Sequence, residues 1–302
     1  MKKNISLLFF ACFAMLLVSC HKDGVYNPKK KISKIFVTQT SHYHSEYGDN
    51  DYNSGRQLRE VWTWGKKTLD RIDHYYDNKL SYTQYFSYDK NRLVRVSSDD
   101  MYCTYKYDGK FLQQVDVYED NVLVRTYKVT HQKGKWSKIE ETWYDDDYMK
   151  AGKGDRLMPL RFVLSDEICK SIKESGKKHY AKHGSKGTGS ATITLTWEKK
   201  NVSRMVVSVS DGDTYTYTYK YDNKKNPYCG FLGEMGEYYG TAMLSENNVI
   251  QEDEQSEDGY YSYFYDYTYD GNWPSSLRSS YSHTYEYGSY SSGSSLVEYE
   301  YK

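Results

Sequence analysis

The stretch FSYDKNRLVRV, residues 86 to 96, returns nineteen positions later as YKYDGKFLQQV, residues 105 to 115. This self-similarity constrains the fold more than any single motif does. Each copy carries two aromatic residues one apart, an Asp, a short polar run, and apolar residues three apart. Trp64 is followed by Leu69 and Ile72, Tyr88 by Leu93 and Val96, Tyr107 by Leu112 and Val115, Trp197 by Val202 and Met205, and Tyr269 by Pro274 and Leu277, always in steps of five and three. Looser copies are Val129 with Trp136 and Ile139, Tyr221 with Pro227, and Leu244 with Val249. The strand ISKIFVT at 32 to 38 matches WSKIEET at 136 to 142, so it reads as the return half of a unit whose first half is missing.

Physically the unit is a β-hairpin. Aromatic-x-aromatic puts both rings on one strand face, the Asp/Asn/Gly/Lys run makes the turn, and the apolar residues resume on the partner strand. The step of three breaks period two and predicts a β-bulge just past the turn. A lone hairpin cannot hide its apolar face, so the copies must pair side by side. The expected fold is all-β: a long coiled antiparallel meander, curled or barrel-like. Composition agrees, since 36 of 302 residues are Tyr and only four are Pro, which leaves aromatic rings to form the core and Gly, Asn, Asp and Ser to break the elements.

The repeat lapses between Trp143 and Ala191. Inside the gap, SDEICKSIKES at 165 to 175 offers Ser165 as an N-cap, acids in the first turn, and Ile168 and Ile172 on one face, so a short helical insertion is expected within about 144 to 190.

Residues 1 to 19 carry Lys2 and Lys3 and then an apolar run from Ile5 to Val18, a signal peptide too short to span a bilayer. The run ends in LVSC, which resembles a bacterial lipobox. The resemblance implies cleavage before Cys20, lipidation of that residue, and a chain anchored in a membrane without crossing it. HKDG, residues 21 to 24, is similar to surface-export signals of Bacteroidetes lipoproteins, which implies the outer membrane, cell surface first and periplasmic face second. Residues 20 to 31 are read as a tether and 32 to 302 as one repeat domain. The units themselves resemble tyrosine-aspartate (YD, or RHS-type) repeats. The order of YDNKKNPY (221 to 228), ENNVI (246 to 250) and YTYDGNWPSSL (267 to 277) is similar to that in uncharacterised YD-like lipoproteins of gut Bacteroidales. That likeness implies fold and location and supplies no catalytic residue.

Lys plus Arg equals Asp plus Glu at 41 each, so no net field favours nucleic acid or acidic lipid. Asp49, Asp51, Asn53 and Glu60 follow a calcium-loop spacing, but Ser54 stands where the loop needs Gly and the flanks are strand-like. His42 with His44, and His179 with His183, lack a third ligand and read as solvated. Cys103, Cys169 and Cys229 read as small buried thiols, and Asp145 to Asp147 as a solvated loop. No nucleophile elbow or phosphate loop is present. No cofactor, metal or catalytic residue is therefore expected. The remaining candidates are the Tyr stripes: Tyr215, Tyr217 and Tyr219 on one strand, and Tyr261, Tyr263 and Tyr265 on another. As core they would stack across strands. On an open face they would suit a glycan or protein partner. The expected function is an anchored, non-enzymatic binding module. The alternatives are a glycan-processing enzyme, which needs two acids facing each other, and a purely structural envelope protein.

Overall fold

The structure, a computed structural model, describes residues 23–45, 48–99, 101–144, 189–210, 212, 214–233, 241–256, 259–284 and 290–302. The first ten strands are β1 Ile32–Ser45, β2 Gly48–Asn53, β3 Gln57–Trp64, β4 Leu69–Tyr76, β5 Lys79–Asp89, β6 Arg92–Ser98, β7 Met101–Asp108, β8 Phe111–Glu119, β9 Val122–Gln132 and β10 Lys135–Trp143. The rest are β11 Ser190–Glu198, β12 Asn201–Val209, β13 Thr214–Tyr221, β14 Val249–Ser256, β15 Gly259–Asp270, β16 Trp273–Thr284 and β17 Tyr290–Tyr301. Among the described residues the one helical element is a 3-10 turn at Thr241–Leu244. Of the helical insertion expected within about 144 to 190, residues 145–188 lie outside the described residues, and Ser190 already begins β11.

From β3 onward each strand pairs antiparallel with the next, and β17 pairs with β1, so the sheet closes. β2 lies along Thr40–Ser45 of β1 and β3 along Lys34–Val37, which makes them two halves of one stave. Seventeen strands thus form a barrel of sixteen staves. Closure uses the repeat itself. Tyr301 sits opposite Ile32, and Lys34, after a bulge, sits opposite Glu300. The last strand therefore supplies the half-unit missing before ISKIFVT, and no sheet edge is left at the seam between the termini.

The step of three is a bulge. Tyr107 opposes Leu112 and Lys106 opposes Gln114, which leaves Gln113 without a partner; Tyr88 and Leu93 show the same slip at Val94. At the intervening turns Lys90 and Asn91 both have positive φ, 48° and 65°, the left-handed pair that a tight hairpin needs. The repeat aromatic then bonds to its neighbour. Tyr107 donates to the carbonyl of Leu93 at 2.7 Å, Tyr221 to Val202 at 2.6 Å, and Tyr301 to Pro274 at 2.8 Å. Trp64 donates to Ile32 and Trp197 to Trp136, each at 2.6 Å. Each acceptor is the first apolar residue of the preceding return strand, so the steps of five and three place a ring tip onto the next hairpin. This ring-to-carbonyl ladder runs round one end of the barrel and ties hairpin to hairpin.

Two looser copies need correction. His131 opposes Trp136, and Ile139 follows three later, so His131 and not Val129 fills the aromatic slot. Tyr221 opposes Val249, so the supposed copies at Pro227 and Leu244 are the interior of a single expanded turn, 222 to 248. The stretch read as a tether is also built into the fold from residue 23 onward. Tyr26 is buried in the core against Trp62, Trp64 and Phe231, with ring centroids 5.1 to 6.4 Å away.

Alternation separates the two faces. Leu69, Ile72, Val96, Leu112, Val115, Ile139, Ile193 and Val207 point inward and are almost wholly inaccessible. Outside, Arg71 meets Asp73, Lys106 meets Asp116 at 2.7 Å, and Lys138 meets Glu140 at 2.9 Å, while Lys128, Arg204 and Arg278 are exposed on the same wall. The polarity is the reverse of a lipid-facing barrel, which is apolar outside and polar within.

Candidate functional site

A barrel of sixteen staves is too wide for wall side chains alone to fill. The expanded turn between β13 and β14 fills part of it. Tyr228, Phe231, Leu232 and Met243 from this turn are buried. Phe231 reaches Trp62 of β3 at 5.1 Å and Phe86 of β5 at 5.9 Å, and Tyr105 of β7 donates to the Leu232 carbonyl at 2.6 Å. The N-terminal segment enters at the same end. Tyr26 donates to the Pro227 carbonyl at 2.7 Å. One oxygen of Asp23 accepts from the Leu112 amide at 2.8 Å and from Trp136 Nε1 at 3.0 Å, and lies 2.9 Å from His131 Nε2. Gly24 follows with φ +75°, and any Cβ there would collide with the Tyr107 hydroxyl. Asp23 and Gly24, read above as part of an export signal and a tether, therefore pin the chain to the barrel rim.

Several acids also point inward. Glu60 accepts from Trp62 Nε1 at 2.7 Å, and His74 Nδ1 lies 3.7 Å from its other oxygen. Burial pushes Glu60 up to about 7, against the pull of the Trp62 hydrogen bond, and pushes His74 down to about 3. His74 is therefore uncharged at neutral pH, while Glu60 is about half protonated there and becomes neutral as the pH falls. The His74 ring stacks on Tyr82 at 4.4 Å. Glu141 faces Arg125 at 3.5 Å; burial raises the carboxyl while the guanidinium opposes that rise. Arg125 in turn lies over the Trp143 ring at 3.3 Å.

The Tyr stripes flank a further acid pair. Tyr219, Glu252 and Tyr263 stand opposite one another across β13, β14 and β15, and Tyr217, Glu254 and Tyr261 form the next row. Tyr215, Tyr217 and Tyr219 are buried inside the barrel, while Tyr263 and Tyr265 also point inward and are half-buried. The Tyr261 side chain lies outside what is described. Glu252 is pushed up to about 8, first by burial and then by the charges of Glu254 and Asp253. Its two flanking Tyr strands were legible, but the acid was not. The signal was available: Glu252 stands three residues after Val249, in the slot that Val96 and Val115 fill elsewhere.

The other candidates disperse. Glu60 is inside, whereas Asp49 and Asp51 are outside, paired with His44 and His42, so the calcium-loop spacing does not converge. Among the described residues no three metal-ligating side chains cluster. Cys103 is buried and Cys229 half-buried, neither in a disulfide, and burial raises the Cys229 thiol to about 11. Cys20, Cys169, His179, His183 and Asp145 to Asp147 lie outside the described residues. Glu252 and Glu254 are successive inward residues of one strand, so they share a wall and do not face each other as a hydrolytic acid pair would.

These features define a closed, internally plugged antiparallel barrel with a polar outer wall. No family model matches the chain, and no curated protein does. Among solved structures it is similar to a porin-like protein from Bacteroides uniformis ATCC 8492, with 14% identity, a TM-score of 0.47, and coverage of 90% of this chain and 98% of that one. A porin-like protein from Bacteroides vulgatus ATCC 8482 matches at 9% identity and a TM-score of 0.25, covering 91% and 99%. Likenesses at this level carry no argument about activity.

Proposed function

We propose that this chain is a lipid-anchored, non-enzymatic barrel that stands on the outer membrane by its N-terminal cysteine and does not cross the bilayer with its strands. The observation that carries the reading is the polarity of the wall. Arg71, Lys106, Lys128, Lys138, Arg204 and Arg278 all face outward. Basic residues facing lipid cost about 2 to 4 kcal/mol each at the bilayer midplane, so a spanning barrel would carry a penalty on the order of ten kcal/mol from these six alone. The plug of Tyr26, Phe231 and Leu232 argues equally against a water-filled pore. The lipobox-like LVSC and the YD-like repeats support an anchored envelope protein of the kind they resemble.

As a binding module the barrel would meet its ligand in the concave interior, because the Tyr stripes face inward. Half-buried Tyr263 and Tyr265 beside Glu252 offer flat rings and a carboxyl, a surface suited to a glycan. Fractionation tests the anchor. Wild type should stay with membranes through a 1 M salt wash, where the Debye length is about 3 Å, while Cys20→Ala should be released. Retention of Cys20→Ala through that wash would show that the barrel itself is embedded.

A further inference from the structure

Net charge is zero, yet charge is not evenly placed. The hairpins that begin with β3, β5, β7, β9, β11 and β15 all turn at one end of the barrel, which is also where residues 23 to 31 and Lys302 lie. Lysines dominate those tips: Lys66, Lys67, Lys90, Lys133 and Lys199 are exposed and in no ion pair among the described residues. Described tips at the opposite end carry Asp77, Asp99 and Asp120.

The rim has a second layer of order. Four of the five ladder aromatics named above carry a cation on the ring: Lys31 on Trp64 at 4.8 Å, Arg92 on Tyr107 at 4.7 Å, Lys135 on Trp197 at 5.1 Å, and Lys30 on Tyr301 at 4.7 Å. Amphipathic rings under basic side chains are the arrangement that long cations and aromatics adopt at a headgroup boundary. Some of the charge is spent locally, since Lys30 pairs with Asp270, and Lys200 and Lys225 share Glu246. The unpaired tip lysines are not.

Chain length brings this rim to a membrane. Asp23 is fixed to it by the Lys110 carbonyl at 3.1 Å and the bonds already described. Three Cα-to-Cα steps lead from Cys20 to Asp23, and three steps span at most about 11 Å. An anchor at Cys20 therefore holds the rim beside Asp23, where the Lys110 and Lys133 tips lie, about one Debye length from the lipid, near enough for charge to act.

We propose that the lysine-and-aromatic rim is a docking surface for a phosphate-bearing, anionic lipid surface, and that it sets the barrel upright on the membrane. The inference extends the anchored reading but is tested without the anchor. The mature chain with Cys20→Ser, unacylated, is titrated with vesicles of phosphatidylcholine alone or with phosphatidylglycerol added, at low and high salt. Binding to the anionic vesicles only, abolished by salt, is expected. Lys90→Asn, Lys133→Asn and Lys199→Asn together should weaken it by about 100-fold; Asn keeps each turn's left-handed backbone, so the fold is spared. A charge-matched triple away from the rim, Lys79→Gln, Lys128→Gln and Arg204→Gln, should leave binding within about twofold. Equal loss in both triples would overturn the proposal, as would loss only on replacing Lys170, Lys173, Lys177 and Lys178 of the insertion. So would no binding at all by the unacylated chain, an outcome that leaves anchoring through Cys20 intact.

Discussion

Glu252→Gln should stabilise the protein in alkali and do almost nothing in acid. The folded carboxyl sits at about 8 and its ordinary value is 4.5, a difference of about 3.5 units. Because the folded state keeps a proton that the unfolded state has lost, stability falls as pH rises from 4.5 to 8 and is flat beyond. At about 1.4 kcal/mol per unit the ceiling is roughly 5 kcal/mol. Glu252 keeps some solvent contact, so screening brings the expected loss nearer 2 kcal/mol. Gln copies the protonated acid and removes the loss. Wild type and variant should therefore unfold alike at pH 4.5, and the variant should lead by about 2 kcal/mol at pH 8.5, or very roughly 4 to 8 °C in Tm for a domain of this size. Glu60, with a folded value near 7, gives the same sign. His74, lowered to about 3, gives the opposite one: its contribution is lost as pH falls from 6.5 to 3. Two falling terms outweigh one rising term above pH 4.5, so these three groups together should put the stability maximum near pH 4.5 and make it decline towards 8. Urea unfolding from pH 4.5 to 9 measures this. A wild-type-minus-variant difference that does not change with pH would refute the assignment of Glu252 as a buried neutral acid.

Leu112→Ala removes a fully buried repeat leucine and should cost about 3 kcal/mol, whereas Lys90→Ala at an exposed tip should cost less than about 1 kcal/mol; equal urea midpoint shifts would show the register to be wrong. Tyr265→Ala, inward and packed on the core, should lose roughly 3 kcal/mol, and an unmoved melting temperature with lost binding across a glycan array would instead make it a recognition residue.

Much of the architecture was written in the spacing. Tyr107, Leu112 and Val115 predict the pairing, the bulge and the inward face because one physical unit, a hairpin with a slipped register, fixes all three. Closure was half legible: ISKIFVT announced a missing partner, but only the pairing of Ile32 with Tyr301 shows that the far terminus provides it. The plug was not legible. Phe231 and Leu232 have no periodicity, and a loop that folds inward looks in sequence like one that folds outward. The inward acids escaped for a different reason. Glu60 and Glu141 alternate in step with Trp62 and Ile139, but a search for apolar residues skips a buried carboxylate by construction.

The plug, the closure and the rim are linked through the N-terminal segment. A ring of identical hairpins has no intrinsic start, and sixteen staves leave a space that the repeat side chains alone do not fill. Residues 23 to 26 break that symmetry. Asp23 ties the segment to β8, β9 and β10 through Leu112, His131 and Trp136, and Gly24 passes under the Tyr107 hydroxyl and accepts from the Leu93 amide at 2.8 Å. Tyr26 then meets the expanded turn at Pro227. At His131, where no ring-to-carbonyl bond of this kind is described, the Asp23 carboxylate links the hairpins in another way, accepting from the Leu112 amide and lying against His131 Nε2. The segment next to Cys20 in sequence is thus tied across the hairpins, so tension on the N-terminus is borne by three neighbouring strands and the plug together. A lipid anchor needs such a footing, because a terminus held by one frayed strand would peel the barrel open at its own seam.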